Sequence, residues 1–238
     1  MFDIVALGEL LIDFTSWGRS ENGMRLFEQN PGGAPANLLC AASNLGLRTA
    51  LVGKVGRDMH GDYLRRVLEG NQESNWPQPP EWAELTKSIP LEEKGVDTAG
   101  LISAEDVFTT LAFVELSETG ERTFSFARKP GADMFLTEAD VERAGQAKMV
   151  HAGSCSLSKP PASAATAHAL ALGAQNGRLV SFDVNYRAAL WSEEEARGVV
   201  ESILPYVDIL FVSEETSRRM FRKTGTLEEI QKGYCREY

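Results

Sequence analysis

A chain of 238 residues, 43% apolar and 24% charged, can bury a substantial core as one large domain or two small ones. Lys and Arg number 24 against 34 Asp and Glu, a formal charge of −10 that repels nucleic-acid phosphates and anionic membrane surfaces, so neither is expected as a partner. No apolar run reaches a membrane span, no basic segment opens a secretory signal, and Cys40, Cys155 and Cys235 suggest neither a disulfide framework nor a zinc site; a cytoplasmic location is expected.

Residues 4–7 are the first β-rich apolar run and predict a strand. Residues 10–15 and 25–28, on either side of the polar turn at 20–23, predict a hairpin. Helical spacing follows over 34–45, then a strand over 49–52 and a helix over 61–68. The segment 70–92 differs in character, holding Pro77, Pro79, Pro80 and Pro90, four of the ten prolines, with Trp76 and Trp82. Such a stretch continues neither a helix nor a central strand, so a surface insertion is predicted, with a binding loop as the alternative. Residues 109–115 and 123–127 flank Glu118-Thr119-Gly120-Glu121 and predict a second hairpin. Strands at 149–152, 179–182 and 209–212 then alternate with helices at 163–175, 193–204 and 215–222.

This alternation predicts an α/β fold with a doubly wound, mostly parallel sheet covered by helices on both faces. The two hairpins, within 10–29 and 108–128, are predicted to form one small appended antiparallel layer with one wet face.

No GxxxxGK[ST] loop occurs, and no GxGxxG follows a strand, so a P-loop kinase or a dinucleotide oxidoreductase is not expected. Three histidines without an HExxH pattern set aside a zinc hydrolase. The run Pro31-Gly32-Gly33-Ala34-Pro35-Ala36-Asn37 enters an Ala/Leu-rich helix. Its glycines permit a tight backbone turn, Pro35 suits a first helical turn, and free N–H groups there can receive a ligand oxygen beside the Asn37 amide. An ordinary loop-to-helix turn would look the same. Asp183, Asn185 and Arg187 follow a predicted central strand, at the edge where open α/β sheets bind ligands. Arg187 could meet substrate or phosphate oxygens with its planar fork, or pair with Asp183. Cys155 and His151 have no partner motif and are expected to pack near a strand end.

Gly8-Glu9-Leu10-Leu11-Ile12-Asp13-Phe14 and Gly32-Gly33-Ala34-Pro35-Ala36-Asn37 resemble the opening blocks of the ribokinase/PfkB family of sugar kinases. Leu51 to Asp58 with Gly61, Gly95-Val96-Asp97-Thr98, the run FARKPGAD from Phe126 to Asp133 and the run SFDVNYRAALW from Ser181 to Trp191 follow in family order, closest to the fructokinase branch. The resemblance implies a ribokinase-like domain over 1–238 with a small β lid, a small-molecule sugar substrate, ATP and Mg²⁺, and a homodimer formed through the lid. It implies that Asp13, Gly32, Gly33 and Asn37 hold sugar hydroxyls and that Arg128 faces the substrate. It also implies that Asp183, Asn185, Arg187, Ser213 and Glu214 serve the phosphate and nucleotide side.

Two departures shape the functional expectation. In the run Ser213-Glu214-Glu215-Thr216, Thr216 stands where the family carries a Glu that helps organise Mg²⁺. The family's later Gly-Ala-Gly-Asp block, which supplies the general base and an anion hole, does not occur in these 238 residues, so no catalytic residue is assigned. The chain is therefore expected to be C-terminally truncated, keeping the sugar half of the site and losing the nucleotide half. Two readings follow: a fructokinase-like kinase that transfers the γ-phosphate of ATP but is inactive in this form, or a non-catalytic sugar-binding module on the same fold.

Overall fold

The computed structural model describes residues 1–70, 95–116 and 122–237. The turn at 118–121 and nearly all of the 70–92 segment lie outside the described residues.

The apolar run at the N-terminus forms β1 (Phe2–Leu7), at the centre of the main sheet. Val5, Ala6 and Leu7 are all buried, as expected for a strand covered on both faces. Side chains alternate across the sheet. Val5 and Leu7 therefore enter one core, with Val150, Leu170 and Phe182, and Ala6 enters the other, with Leu39, Leu51 and Leu64. Helices α1 (Ala34–Asn44) and α2 (Met59–Leu68) close the second core. The first is closed by α3 (Ala162–Gln175) and α4 (Glu193–Ile203).

On one side of β1 lie β4 (Thr49–Gly56) and then β5 (Val96–Ala104). On the other lie β8 (Ala147–Gly153), β9 (Leu179–Asp183) and β10 (Ile209–Phe211), and every pairing in this six-stranded sheet is parallel. The chain winds outward through β4 and β5, then returns to β8, so the switch in direction falls between β1 and β8. Crevices at the carboxyl ends of strands flanking such a switch are where open α/β sheets take ligands.

Three elements depart from the sequence reading. Strand β5 was not predicted, because Gly95, Asp97 and Gly100 are turn formers. Tertiary contacts hold it instead: Arg65 of α2 donates to the carbonyls of Thr98 (3.1 Å) and Leu101 (2.6 Å). The helix predicted over 215–222 is only α5 (Glu214–Arg219), followed by Arg222 in the left-handed region. A further helix, α6 (Leu227–Glu237), was also missed. Its start is a capping box in which Thr226 and Glu229 bond each other's backbone N–H.

The hairpins are β2 (Leu11–Arg19) with β3 (Arg25–Gly32), and β6 (Leu111–Leu116) with β7 (Arg122–Ala127). They join into one four-stranded sheet, ordered β3-β2-β6-β7. The expected antiparallel layer is in fact mixed, because β2 and β6 pair in parallel. Both rise from the carboxyl ends of parallel strands, β1 and β5, and so run the same way. The two faces of this sheet differ. On one face Leu11, Asp13 and Thr15 turn toward the crevice. On the other, Phe14 stacks on Phe113 at 5.4 Å and Phe27 meets Phe113 edge-on, leaving aromatic surface exposed.

Asp58 fastens the second lid entry. It caps α2, accepting from the N–H groups of His60 (3.0 Å) and Gly61 (2.9 Å). It also accepts from the Thr109 N–H (2.8 Å) and hydroxyl (2.9 Å), just before β6. Gly56 and Gly61 are needed beside it, since a Cβ on Gly56 would strike the Asp58 carboxylate and one on Gly61 the Gly56 carbonyl. Asp58→Ala removes the cap and leaves buried donors unmet, so a loss of roughly 2–3 kcal/mol in urea unfolding is expected. Although burial alone would raise its pKa, the hydrogen bonds from Thr109, Gly61 and His60 hold the Asp58 carboxyl below its usual value. Its contribution is thus present above the unfolded-state pKa and lost as pH falls through the lower folded value. The wild type should accordingly lose more stability than Asp58→Ala on acidification.

Candidate active site

A cleft of about 340 Å³ lies between the lid and the carboxyl edge of the main sheet. Its floor and wall come from the turn after β1, the start of α1 and the segments after β8 and β9; its roof comes from β2, β6 and β7. Among the residues predicted for the sugar, Asp13, Gly33 and Asn37 line it together. Gly32 lies behind Asp13, where a Cβ would collide with the Asp13 carboxylate. Gly33, at φ 118°, has no room either: a Cβ would strike the carbonyl oxygen of Glu9. The Gly-Gly pair thus lets the β3–α1 turn press against both the lid strand and the exit of β1.

The start of α1 offers fewer free donors than the sequence suggested. The Ala34 N–H is taken by Glu9 Oε1 at 3.2 Å, Pro35 has none, and the Asn37 N–H bonds the Gly33 carbonyl at 3.0 Å. Asn37 therefore meets the cleft through its side-chain amide.

A second hollow, of about 440 Å³, lies beside the first and shares Asn185 and Arg187 with it. Asp183, Ser213, Glu215, Thr216 and Arg219 also line this hollow. Asp183 ends β9, and its carboxyl accepts from the Asn185 N–H at 3.1 Å. Burial raises the Asp183 pKa, with the Asn185 N–H and the Arg187 charge opposing. Arg187 stands over the Phe124 ring of the lid, 5.5 Å from its centroid, rather than in an ion pair with Asp183. Ser213 caps α5: its hydroxyl accepts from the Thr216 N–H and donates to the Thr216 hydroxyl.

Two predicted residues stand elsewhere. Glu214 does not line the hollow; it pairs with Arg218 one helical turn on, and the rotation of the helix presents Glu215 and Thr216 instead. Arg128 does not line the cleft. It is 6% exposed and bound to Asp133 through Nη2 (2.7 Å) and Nε (2.8 Å), with further bonds to Ser158 and the Cys155 carbonyl. The second Asp133 oxygen takes the Thr110 hydroxyl. Arg128 thus braces the segments beneath the site.

Glu9 and Cys155 also line the cleft, and neither was predicted to. Burial pushes the Cys155 thiol up, so it is no thiolate nucleophile. Glu9 is 5% exposed, and burial, with the Asp133 charge, pushes its pKa up to about 7. The sequence signal for Glu9 was a carboxylate inside the apolar run from Ile4 to Ile12. His151 lies deeper, bonded to Ser181 at 3.0 Å, and burial lowers it to about 4. No group of three or more His, Cys, Asp or Glu side chains able to hold a metal occurs among the described residues.

The sequence pattern described as "pfkB family carbohydrate kinase" matches residues 1–72 and 90–234. The chain belongs to that family. The break in the match falls inside the segment where the sequence predicts an insertion. This pfkB-family chain is 40% identical over 216 residues to fructokinase-1 of Zea mays, covering 89% of the chain and 60% of the maize protein. It therefore spans about three fifths of that relative's length. A fructokinase from Xylella fastidiosa solved with bound ATP is similar with a TM-score of 0.74 and 28% identity, over 98% of this chain and 65% of that one. A fructokinase double mutant from Vibrio cholerae, solved with fructose, ADP and potassium, gives 0.77 and 28%, over 99% and 67%.

Removing one partner of the buried Arg128–Asp133 pair leaves the other charge unpaired. Asp133→Ala is expected to cost about 3–5 kcal/mol in chemical unfolding. Exchange of an exposed pair, Arg25 with Glu115, should cost less than about 1 kcal/mol by the same measurement.

Proposed function

We propose that this protein is a fructokinase-like sugar kinase whose lid cleft binds the sugar and whose adjoining hollow takes the phosphate end of ATP. One observation carries the reading: Asp13 and Asn37 face a single hollow that meets a second, Arg-bearing hollow at Arg187. Asp13 accepts from sugar hydroxyls, and Asn37 both donates and accepts; such a site discriminates against ligands that leave its polar groups unpaired. Phe124 and Phe126 of β7 offer apolar surface to the carbon skeleton.

On the phosphate side, Arg187 supplies positive charge and Asn185 an amide donor, a set suited to phosphate oxygens, while Arg219 in the same hollow is paired with Glu193 and Glu215. Mg²⁺ needs only one or two protein carboxylates when phosphates complete its shell, and Asp183 and Glu215 are present in the same hollow. Bound with the nucleotide, the metal neutralises charge on the phosphoryl oxygens; the chain's own residues orient the sugar hydroxyl and exclude water beneath the lid. The aromatic face of Phe113 and Phe27 supports a second copy of the chain packing lid to lid, a point that light scattering tests.

The general base is a separate matter. No Gly-Ala-Gly-Asp block occurs in these 238 residues, and among the carboxylates that line the hollows, Glu9, Asp13, Asp183 and Glu215 already have roles in the reading above or in holding the turn before α1. The alternative reading for these 238 residues is sugar binding without ordinary turnover. Fructose titration by calorimetry, beside a coupled kinase assay with ATP and Mg²⁺, tests both. Binding is expected, and turnover of roughly 1–100 s⁻¹ would overturn the second reading. Asp13→Ala should weaken fructose binding by about tenfold or more, from a lost charged hydrogen bond of roughly 1.5–3 kcal/mol, and Asn37→Ala by less. Unchanged affinity in both variants, with circular dichroism intact, would remove these residues from the sugar site.

A further inference from the structure

We propose that Glu9 is the positioning residue of the sugar site: its carboxyl fixes the first turn of α1 and so sets where Gly33 and Asn37 meet the sugar. This rests on the sugar-site reading above and adds to it a residue that the motif comparison did not assign.

The geometry is specific. Glu9 sits at the end of β1, between the central strand and the first lid strand, and lines the cleft while nearly buried. Its Oε1 accepts from the Ala34 N–H, the first amide of α1, at 3.2 Å. Its backbone carbonyl lies so close to Gly33 that no Cβ fits between them. One residue thus grips the β3–α1 turn twice, once through its side chain and once through its backbone. Gly33 has no side chain to cap the helix, so Glu9 stands in for the missing cap.

The other carboxyl oxygen, Oε2, is sealed from solvent and has no hydrogen-bond partner among the described residues. A charge there is poorly supported. Burial and the Asp133 charge from below disfavour it; the N–H groups of Glu9 itself and of Ala34, with the Arg128 charge, favour it but are outweighed, and the Cys155 thiol adds no cation. Asp13 and Arg187 line the same cleft. With its pKa near 7, Glu9 therefore stabilises the folded site most when neutral, and although the Ala34 bond strengthens on ionisation, the net contribution falls as the buried carboxylate forms. The sign follows from the upward shift: the contribution is complete at low pH and is lost as pH rises through 7. Fructose itself stays uncharged through this range, so a pH dependence that Glu9→Gln removes belongs to Glu9.

The test compares wild type, Glu9→Gln and Glu9→Ala by fructose calorimetry at pH 6.0 and 8.5, and by amide hydrogen exchange without ligand. Gln keeps an acceptor for Ala34 and cannot ionise. The expected result is a severalfold weaker fructose affinity for wild type at pH 8.5 than at 6.0. Glu9→Gln should be flat and close to the low-pH wild type, and Glu9→Ala about tenfold weaker at both. Exchange at Ala34 and Asn37 should accelerate about tenfold or more in Glu9→Ala but not in Glu9→Gln. A wild-type pH slope retained in Glu9→Gln, no slope in the wild type, or equal exchange in all three proteins would overturn the proposal. If no sugar binds to the wild type, the sugar-site reading fails by itself, and the exchange comparison still decides whether Glu9 holds the turn.

Discussion

All six strands of the main sheet run in one direction, and this constraint determines where everything else can go. The carboxyl ends of β1, β8, β9 and β10 open on a common edge, so residues far apart in sequence, such as Glu9, Cys155, Asp183 and Ser213, come to one crevice. The same direction sends both lid strands, β2 and β6, upward side by side from the ends of β1 and β5. The cleft is the space left between that edge and the lid, and its two halves meet at Asn185 and Arg187, with Arg187 reaching from the β9 loop to a lid ring.

The buried charges reflect a balance that favours order over economy. Arg128 and Asp133 lie beneath the cleft with nearly every donor and acceptor matched, including Thr110, Ser158 and the Cys155 carbonyl. Such a pair adds little net stability over an apolar filling, yet it fixes the relative placement of three separate segments. Glu9 is the less complete case, one oxygen bonded and the other not, and that incompleteness lies at the edge of the ligand space rather than in the core.

Much of the fold was legible because apolar periodicity reports burial directly. Residues 4–7 and 179–182 could only be central strands once helices flanked them, and the glycine pair at 32–33 was compatible with a tight turn without showing what it presses against. What escaped depended on distant partners. Strand β5 is interrupted by the turn formers Asp97 and Gly100 and is held by Arg65 from another element. The burial of Arg128 depends on Asp133, Thr110 and Ser158 meeting it, which no local pattern encodes. Glu214 and Glu215 are neighbours in sequence, and only the rotation of α5 decides which of them faces the hollow. For α6 the capping box at Thr226 and Glu229 was available and went unread.

The parallel pairing of β2 with β6 has a kinetic consequence. It sets Phe14 beside Phe113, and the intervening chain contains β3, α1, β4, α2 and β5. Closing a loop of that length costs entropy before its contacts return anything. The hairpins can form locally and early, but their union waits until β1, β4 and β5 have aligned and brought the two exits together. The cleft should thus be among the last features to appear during refolding, assembled on a sheet that is already in place.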